Sequence, residues 1–585
     1  LNGQSTLPSA DFDPDQAEVP TRNVISIKEN APGKPSDMRV LFVTSEAFPF
    51  AKTGGLADVS AALPAALSNL GIDVRVLMPA YPQALGAAAH VKEIARLGTV
   101  LGFGTTRLLE THFPQTHVPV WLVDCPELYN RVGGPYQDED GVDWPDSASR
   151  FALLNHVAAG IAIGGRWQPD IVHANDWHAA LVPLLLSQQA WPRPATLFTI
   201  HNLCYQGLFD ADVFQSLALP SDSFRLMEFW GRISLMKAAI GTADAITTVS
   251  PTYANEILSP EYGCGLDGLL RERAASITGI LNGADYGQWD PGTDPHIPRN
   301  YTPTSLALKG VCKRAIQAEF GLFPDADTPL LAFMSRLVHQ KMPDVLLEVL
   351  PPLLESGMQF ALVAEGESQY QDGFRRLAAR YPGRVGVNIG YHEPLAHRLV
   401  SGADMLLHPS RFEPCGLVPI YAMRYGTVPI VRNSGGMADT VTDATPETLK
   451  SGSATGFSFD NICSIELARC VHRAVALYRQ SIHWRKLQHS AMQRDFSWRN
   501  SAKRYAAIYR TLGSDVEAGA AKATVVWRRC ASDNSHSVAT HGREVQTTRS
   551  PRLGSPVQQS VAQPLGMASL SVPSPLHQSG RLPYA

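Results

Sequence analysis

The chain has 585 residues, more than one compact core accommodates and enough for two or three domains. With 44% hydrophobic residues, 18% charged residues and a net charge of −4, its composition is that of a soluble globular protein, with no bulk electrostatic pull toward nucleic acid or an anionic membrane. No apolar run is long enough to span a bilayer, and eight cysteines without a Cys-x-x-Cys pair indicate neither a zinc site nor a disulfide framework, so reduced thiols in a cytoplasmic setting are expected.

Residues 1–37 are polar and carry Asp11, Asp13, Asp15 and Glu18. They lack the apolar centre of a secretory signal and are too acidic for a transit peptide, and they read as a disordered N-terminal segment. From Met38 onward strand-like and helix-like runs alternate. Arg39 to Val43 reads as a buried strand. Lys52-Thr53-Gly54-Gly55-Leu56-Ala57-Asp58 then leads into a helix in which Val59, Leu63, Leu67 and Leu70 share one face and Gly71 is the stop. Val74 to Met78 closes a βαβ unit, which calls for a parallel sheet. The pattern recurs at Asp170 to Ala174, followed by Asn175-Asp176 and a helical Trp177 to Gln188, and again at Ala195 to Ile200, followed by His201-Asn202. It recurs once more at Ala245 to Val249, where Ser250-Pro251 supplies a cap and a first-turn proline.

Residues 282–325 are rich in Asn-Gly, Asp-Pro and Pro-Gly steps and suit a hinge. A second series follows, with strands at Leu330 to Met334, Phe360 to Val363, Val385 to Ile389, Met405 to Leu407 and Val428 to Val431. The expected fold is therefore α/β, two Rossmann-like domains facing across a cleft. Residues 514–585 are rich in Ser, Pro, Gln and Arg without periodicity and read as a disordered tail.

Ligands of open α/β sheets bind beyond the carboxyl ends of the strands. The polar residues there are Lys52, Gly54, Gly55, Asp176, His178, His201 and Asn202 in the first series, and Arg336, Lys341, Glu413, Ser434, Gly435 and Gly436 in the second. Lys52, Arg336 and Lys341 beside glycine-bearing loops suit a diphosphate that leaves during reaction. Glu413 is placed to bond sugar hydroxyls. No Asp-x-Asp metal motif stands out, so no metal and no cofactor is called for. Trp177 and His178 read as packing residues, and Cys415, with no base near it in sequence, as a packing or backbone contact rather than a nucleophile.

Between Met38 and Leu512 the chain resembles the bacterial glycogen synthases and the related plant starch synthases, which are GT-B glycosyltransferases. The resemblance is carried by Lys52 to Val59, Asn175-Asp176-Trp177-His178-Ala179, Thr199 to Gly207, Thr248 to Tyr253, Gly265 to Leu270, Ile280 to Gly283, Ser335-Arg336-Leu337 with Gln340-Lys341, Pro409 to Leu417 and Tyr425-Gly426-Thr427. It implies transfer of glucose from ADP-glucose to the non-reducing end of an α-1,4-glucan, glycogen or starch, with retention of configuration. Lys52, Arg336 and Lys341 would hold the diphosphate, Glu413 the donor sugar, and His201 would lie near the reacting carbon. Asp146, in Trp144-Pro145-Asp146, matches a cleft aspartate, and Tyr391 matches a residue stacked on adenine. Catalytic roles thus fall on Asp146, His201, Arg336, Lys341 and Glu413. Substrate binding falls on Lys52, Gly54, Gly55, Asn202, Tyr391, Cys415, Gly416, Leu417, Gly435 and Gly436. The resemblance also implies domains at 38–281 and 282–493, with a helix at 494–513 returning to the first.

Several positions depart from the family pattern. Val418-Pro419 replaces Thr-Gln, Ala364-Glu365-Gly366-Glu367 replaces a Gly-x-Gly-Asp loop, Met342 stands where a glycine follows Gln-Lys, and Asn433-Ser434 replaces Arg-Thr. They leave the reaction class in place and put donor affinity and nucleotide choice in question. The alternative reading is a non-catalytic or altered-donor glucan-binding paralogue.

Overall fold

The computed structural model describes residues 38–189, 193–390 and 392–514. Residues 1–37 and 515–585, expected to be disordered, and Tyr391 lie outside them, while Ser514, the first residue of the expected tail, ends the last helix.

The first half supplies strands β1 (Arg39–Val43), β2 (Asp73–Pro79), β3 (Lys92–Val100), β4 (Phe103–His112), β5 (Pro119–Asp124), β6 (Ile171–Asn175) and β7 (Ala195–Ile200). After these come β8 (Leu208–Asp210), β9 (Glu228–Phe229), β10 (Arg232–Ser234), β11 (Ala245–Thr248) and β12 (Ile277–Gly279). They form a nine-stranded sheet in the order β12-β11-β7-β6-β1-β2-β5-β4-β3 and a three-stranded sheet β8-β10-β9. The large sheet is parallel from β12 to β5 and antiparallel over β5, β4 and β3. The antiparallel edge and the small sheet are additions that the βαβ reading did not contain. Strands β3 and β4 mix buried with exposed positions and lack the continuous apolar run of a buried parallel strand, whereas β5 has such a run from Val120 to Val123.

Helix Gly55–Ser68 packs Val59, Leu63 and Leu67 into the core, each worth roughly 1.5–3 kcal/mol. Leu70 does not share the buried face expected of it. The helix ends at Ser68, so Leu70 falls in the closing turn and is 37% exposed, while Gly71 takes φ +85°. The single helix expected over Trp177 to Gln188 is a 3-10 turn, Trp177–Ala179, followed by helix Leu181–Ser187.

The second half forms an all-parallel sheet from β13 (Leu330–Leu337), β14 (Gln359–Gly366), β15 (Val385–Ile389), β16 (Met405–His408), β17 (Val428–Arg432) and β18 (Phe457–Phe459), ordered β15-β14-β13-β16-β17-β18. Strand periodicity divides its core. Leu331, Phe333 and Leu337 point into one apolar layer, and Leu330, Ala332 and Met334 into the other.

Residues 285–325 are not a bare linker. Trp289, Ile297, Tyr301, Cys312, Ile316 and Leu322 are buried in the second of these layers, and helix Lys309–Glu319 lies within the segment. Two passes of the chain join the halves side by side. Ala284 N–H donates to Phe496 O at 2.7 Å, Ala284 bridges Ser497, and a Cβ on Gly283 would come within 2.6 Å of Trp498 Cα. The terminal helix begins after this bridge and runs over residues 498–514, a few residues later than the 494–513 expected. Trp498, Ala502, Tyr505, Ala506, Tyr509 and Leu512 bury its apolar stripe in the first core. Beneath it His173, fully buried, contacts Tyr509 Oη through Nδ1 at 2.7 Å and Thr199 Oγ1 through Nε2 at 2.6 Å.

Tyr509→Phe removes one of these partners without changing volume and strands a buried ring nitrogen. The expected result is a loss of about 1–3 kcal/mol of stability, read as a lowered denaturation midpoint beside the wild type.

Candidate active site

In the parallel part of each large sheet the chain order reverses at one place, between β1 and β6 in the first and between β13 and β16 in the second. The crevice outside such a reversal is where open α/β sheets bind ligands. The residues chosen from strand ends gather at these two places.

After β1 the chain folds back through residues 44–54. Glu46 is buried and its Oε2 accepts the Thr53 N–H at 2.5 Å. Burial, with Asp58 adding to it, pushes the Glu46 carboxyl up to about 8 against the pull of the Thr53 amide and of Arg336 from the second half. Lys52 Nζ pairs with Asp58 at 2.9 Å and reaches Glu393, across the crevice, at 3.5 Å. Burial also raises Asp58, opposed by Lys52. Gly54 is extended, with φ −153°, and Gly55 opens the helix. A Cβ on Gly54 would meet Glu46 Oε1 only at 4.0 Å, and one on Gly55 would meet Leu417 Cδ1 of the second half at 3.6 Å, so the chain itself does not require glycine at either place.

After β6, Asp176 adopts φ +54°, a strained conformation for a residue with a side chain. Its Oδ1 accepts from the N–H groups of His201 at 2.9 Å and Asn202 at 3.3 Å, which fixes the turn after β7. Burial nevertheless raises its carboxyl to about 7. The Asn175 amide nitrogen donates to Val43 O at 3.1 Å, so its oxygen faces His201, whose Nε2 lies 3.0 Å away. His201 therefore donates through Nε2 and keeps a lone pair on Nδ1. Burial pushes the ring down to about 3, so it is neutral at physiological pH. Asn202 closes a local turn, its Oδ1 accepting from Cys204 N–H at 3.1 Å. His178 packs as the sequence indicates, stacked on Tyr136 with ring centroids 4.7 Å apart.

At the reversal in the second sheet, Arg336 is carried by β13 itself, which is longer than the sequence indicated, and its guanidinium lies 5.9 Å from the Tyr205 ring of the first half. Lys341 ends the turn His339–Lys341 and its Nζ pairs with Glu413 Oε2. Glu413 also accepts from His408 Nε2 at 3.0 Å and Ser410 Oγ at 2.9 Å. Lys341 and His408 hold this buried carboxyl well below its usual range in spite of desolvation. His408 Nδ1 has no partner among the described residues and, in a neutral ring donating through Nε2, carries the lone pair.

The glycines of this half act on the backbone. A Cβ on Gly435 would fall 2.0 Å from Glu413 O, one on Gly436 2.2 Å from Cys415 O, and one on Gly416 2.2 Å from Met437 Cε. Their absence lets the 413–416 and 434–436 segments lie against each other, with Gly436 N–H donating to Glu413 O at 3.0 Å. Gly435 N–H donates to Glu256 Oε1 of the first half at 2.9 Å. Burial pushes the Cys415 thiol up to about 12, in keeping with a packing role. Leu417 opens helix Leu417–Arg424.

Lys52, Gly55, His201, Asn202, Arg336, Lys341, Glu413, Gly416, Leu417, Gly435 and Gly436 thus belong to the two reversals and the loops that meet there. Asp146 is engaged elsewhere, at the start of helix Ser147–Gly164 in a two-bond ion pair with Arg131 at 2.9 and 2.6 Å. Glu46, Asn175, Glu256 and His408 also stand at the site and are not among the residues expected from strand ends. Glu46 lies three residues beyond β1, while Asn175 and His408 are the last residues of β6 and β16, so the signal was present for these three. Glu256 lies on helix Pro251–Glu256 and only the meeting of the halves brings it in.

Residues 39–272 match the family described as the starch synthase catalytic domain, and residues 317–477 match the glycosyl transferases group 1 family. The chain is 48% identical over 489 residues to glycogen synthase 1 of Methylococcus capsulatus, covering 82% of this chain and 98% of that protein. It is 49% identical to the glycogen synthase of Thioalkalivibrio sulfidiphilus, covering 82% of this chain and all of the relative. Among solved structures, the catalytic domain of starch synthase IV from Arabidopsis thaliana, bound to ADP and acarbose, superposes with a TM-score of 0.73 at 28% identity, covering 82% of this chain and 99% of that one. A sucrose-phosphate synthase from Thermosynechococcus elongatus shares the fold, with a TM-score of 0.52 at 20% identity.

Glu46 gives the site a pH signature. Its folded value, about 8, lies above the ordinary 4.5, so its contribution to stability is complete below about pH 4.5 and is lost as pH rises toward 8. Glu46→Gln keeps an acceptor for Thr53 and cannot ionise. The thermal midpoint of the wild type is expected to fall between pH 5 and pH 8 by more than that of the variant, and equal falls would remove Glu46 as a source of the dependence.

Proposed function

We propose, for a chain that belongs to the glycogen synthase and starch synthase family of GT-B glycosyltransferases, that the crevice between its two sheets carries glucose from ADP-glucose to the non-reducing end of an α-1,4-glucan with retention of configuration. The observation that carries this reading is the coincidence of both sheet reversals with the cationic and carboxylate residues that such a transfer needs. Lys52 stands on the first side, and Arg336 and Lys341 on the second.

The reaction breaks the bond between the anomeric carbon and the diphosphate oxygen and forms one to the acceptor hydroxyl oxygen on the same face. The acceptor proton passes to the departing phosphate, and ADP leaves. Lys52, Arg336 and Lys341 offset the charge that accumulates on the diphosphate. Lys341 now faces Glu413, and a diphosphate arriving beside it would share that cation. Glu413, held by His408 and Ser410, stays ionised and accepts from hydroxyls of the donor sugar. His201 presents the Nδ1 lone pair of a neutral ring, which accepts from a hydroxyl and places no positive charge against an oxocarbenium-like sugar. The open backbone at Gly54 and Gly55, which the chain's own packing does not demand, is room for the nucleotide's phosphates at the start of helix Gly55–Ser68. Asp146 keeps its catalytic assignment by resemblance to the family's cleft aspartate, and its pairing with Arg131 holds its orientation. Asn202, Cys415, Gly416, Leu417, Gly435 and Gly436 shape the walls.

The domains proposed are 38–281 and 282–493, with the helix at the end of the chain returning to the first. Their support is the two sheets and the side-by-side passes at 283–284 and 496–498. No helix among the described residues is long and apolar enough to cross a membrane. No group of three or more His, Cys, Asp or Glu residues among them is arranged to hold a metal ion.

Incorporation of radiolabelled glucose into glycogen, with ADP-glucose and UDP-glucose in parallel, tests the reading. Incorporation from ADP-glucose is expected to be the faster, and none from either donor would overturn the proposal. Lys341→Ala and Glu413→Ala should each lower kcat by about 10²–10³-fold while glucan binding is retained. Near-normal turnover in both would take these residues out of the mechanism.

A further inference from the structure

Cys204 and Cys264, 60 residues apart in the chain, have their sulfur atoms 3.2 Å from each other. Both lie in loops beside the crevice, and the transfer chemistry uses neither. Cys204 is exposed, in the turn that follows His201 and Asn202, and Cys264 is half-buried at φ +49°. The backbone holds the two loops in register. Gln206 Nε2 donates to Cys264 O at 2.8 Å, Asn202 Oδ1 accepts from Cys204 N–H at 3.1 Å, and Leu203 N–H donates to Tyr253 Oη at 3.1 Å. The sulfurs therefore meet on anchored loops. Among the described residues no other two cysteines are in contact, and Cys125, Cys312, Cys415 and Cys470 are buried.

We propose that Cys204 and Cys264 form a dithiol modification site that exchanges with a small disulfide of the glutathione class and ends as an intrachain disulfide on the wall of the crevice. The Cys264 thiolate attacks one sulfur of glutathione disulfide, whose S–S bond breaks and releases one glutathione thiol, leaving a mixed disulfide on Cys264. Cys204, losing its proton, then attacks Cys264 Sγ and expels the second glutathione as a thiol. The protein loses two electrons and two protons, and both pairs end on the two glutathione molecules. At 3.2 Å either sulfur can donate to the other; with the Cys204 S–H donating, the Cys264 thiol is lowered from its usual value and is the thiolate of the pair. Closing the bond to about 2.05 Å asks the sulfurs to approach by about 1 Å, and the anchored loops bring them most of the way. The bridge ties the turn bearing His201 and Asn202 to the loop at Gly263–Gly265, so oxidation bears on the wall of the site.

The test incubates the full chain with glutathione disulfide, blocks remaining thiols with an alkylating agent and maps the peptides by mass spectrometry. The expected product is a linked pair of peptides containing Cys204 and Cys264, with two free thiols lost per chain and both recovered on reduction by dithiothreitol. Cys204→Ser, checked for an unchanged circular dichroism spectrum, removes the resolving thiol and is expected to hold one glutathione on Cys264. Cys264→Ser is expected to form no bridge. The proposal is overturned if the wild type carries two separate glutathiones at these positions or leaves both thiols free. It fails equally if the bridge persists in either variant or if Cys204→Ser takes no glutathione at Cys264.

Discussion

Lys341 and Glu413 meet from opposite sides of the reversal in the second sheet, one on the turn after β13 and the other on the loop after β16. A carboxylate buried to this degree is costly unless it is paired and its lone pairs are met. Three donors converge on Glu413 Oε2: the lysine, His408 Nε2 and Ser410 Oγ. The loop carrying it is then pinned by backbone contact with the glycines at 435 and 436, where a single methyl group would collide. Much of the local sequence, from the histidine that ends β16 to the second glycine pair, serves to keep one buried carboxylate ionised and in place.

The first sheet solves the opposite problem. Glu46, Asp58 and Asp176 are all raised by burial, and Asp176 and Glu46 reach about 7 and 8. His201 is pushed the other way and is neutral. One wall of the crevice thus carries two carboxyls, Glu46 and Asp176, that shed their protons near neutrality beside a neutral His201, and the other carries a firmly charged pair. Such a division suits a donor that brings its own negative charge, because the cations on both sides need not overcome a full set of carboxylates. Across the seam, Gly435 N–H on Glu256 and Thr252 Oγ1 on Asp439 at 2.8 Å join the halves by polar contacts, and Cys415 and Leu417 of the second half pack against the first core.

The departures from the family pattern find physical outlets. Met342 sits at φ +55°, where a side chain costs about 1–2 kcal/mol, yet that side chain is fully buried in the core under β13, a gain of similar size. Pro419 is the third residue of helix Leu417–Arg424, within the first turn, where a missing N–H breaks no intrahelical bond. Glu365 is exposed at the end of β14, where its charge is solvated.

The sequence by itself determined the two α/β series, most of the parallel strands within a few residues, and the polar residues at their ends. Those are local properties, since apolar runs, glycine stops and strand-end polarity are written in consecutive residues. It did not determine the antiparallel edge formed by β3, β4 and β5, the packed role of residues 285–325 or the side-by-side crossing at 283 and 497, because each depends on pairing between distant segments. The same holds within the site. Lys52, His201, Arg336, Lys341 and Glu413 were legible as a chemistry. Their partners were not, because the proton held by Glu46, the tautomer of His201 set through Asn175 and the seating of Glu256 on Gly435 follow from burial and distance, which only the folded chain possesses.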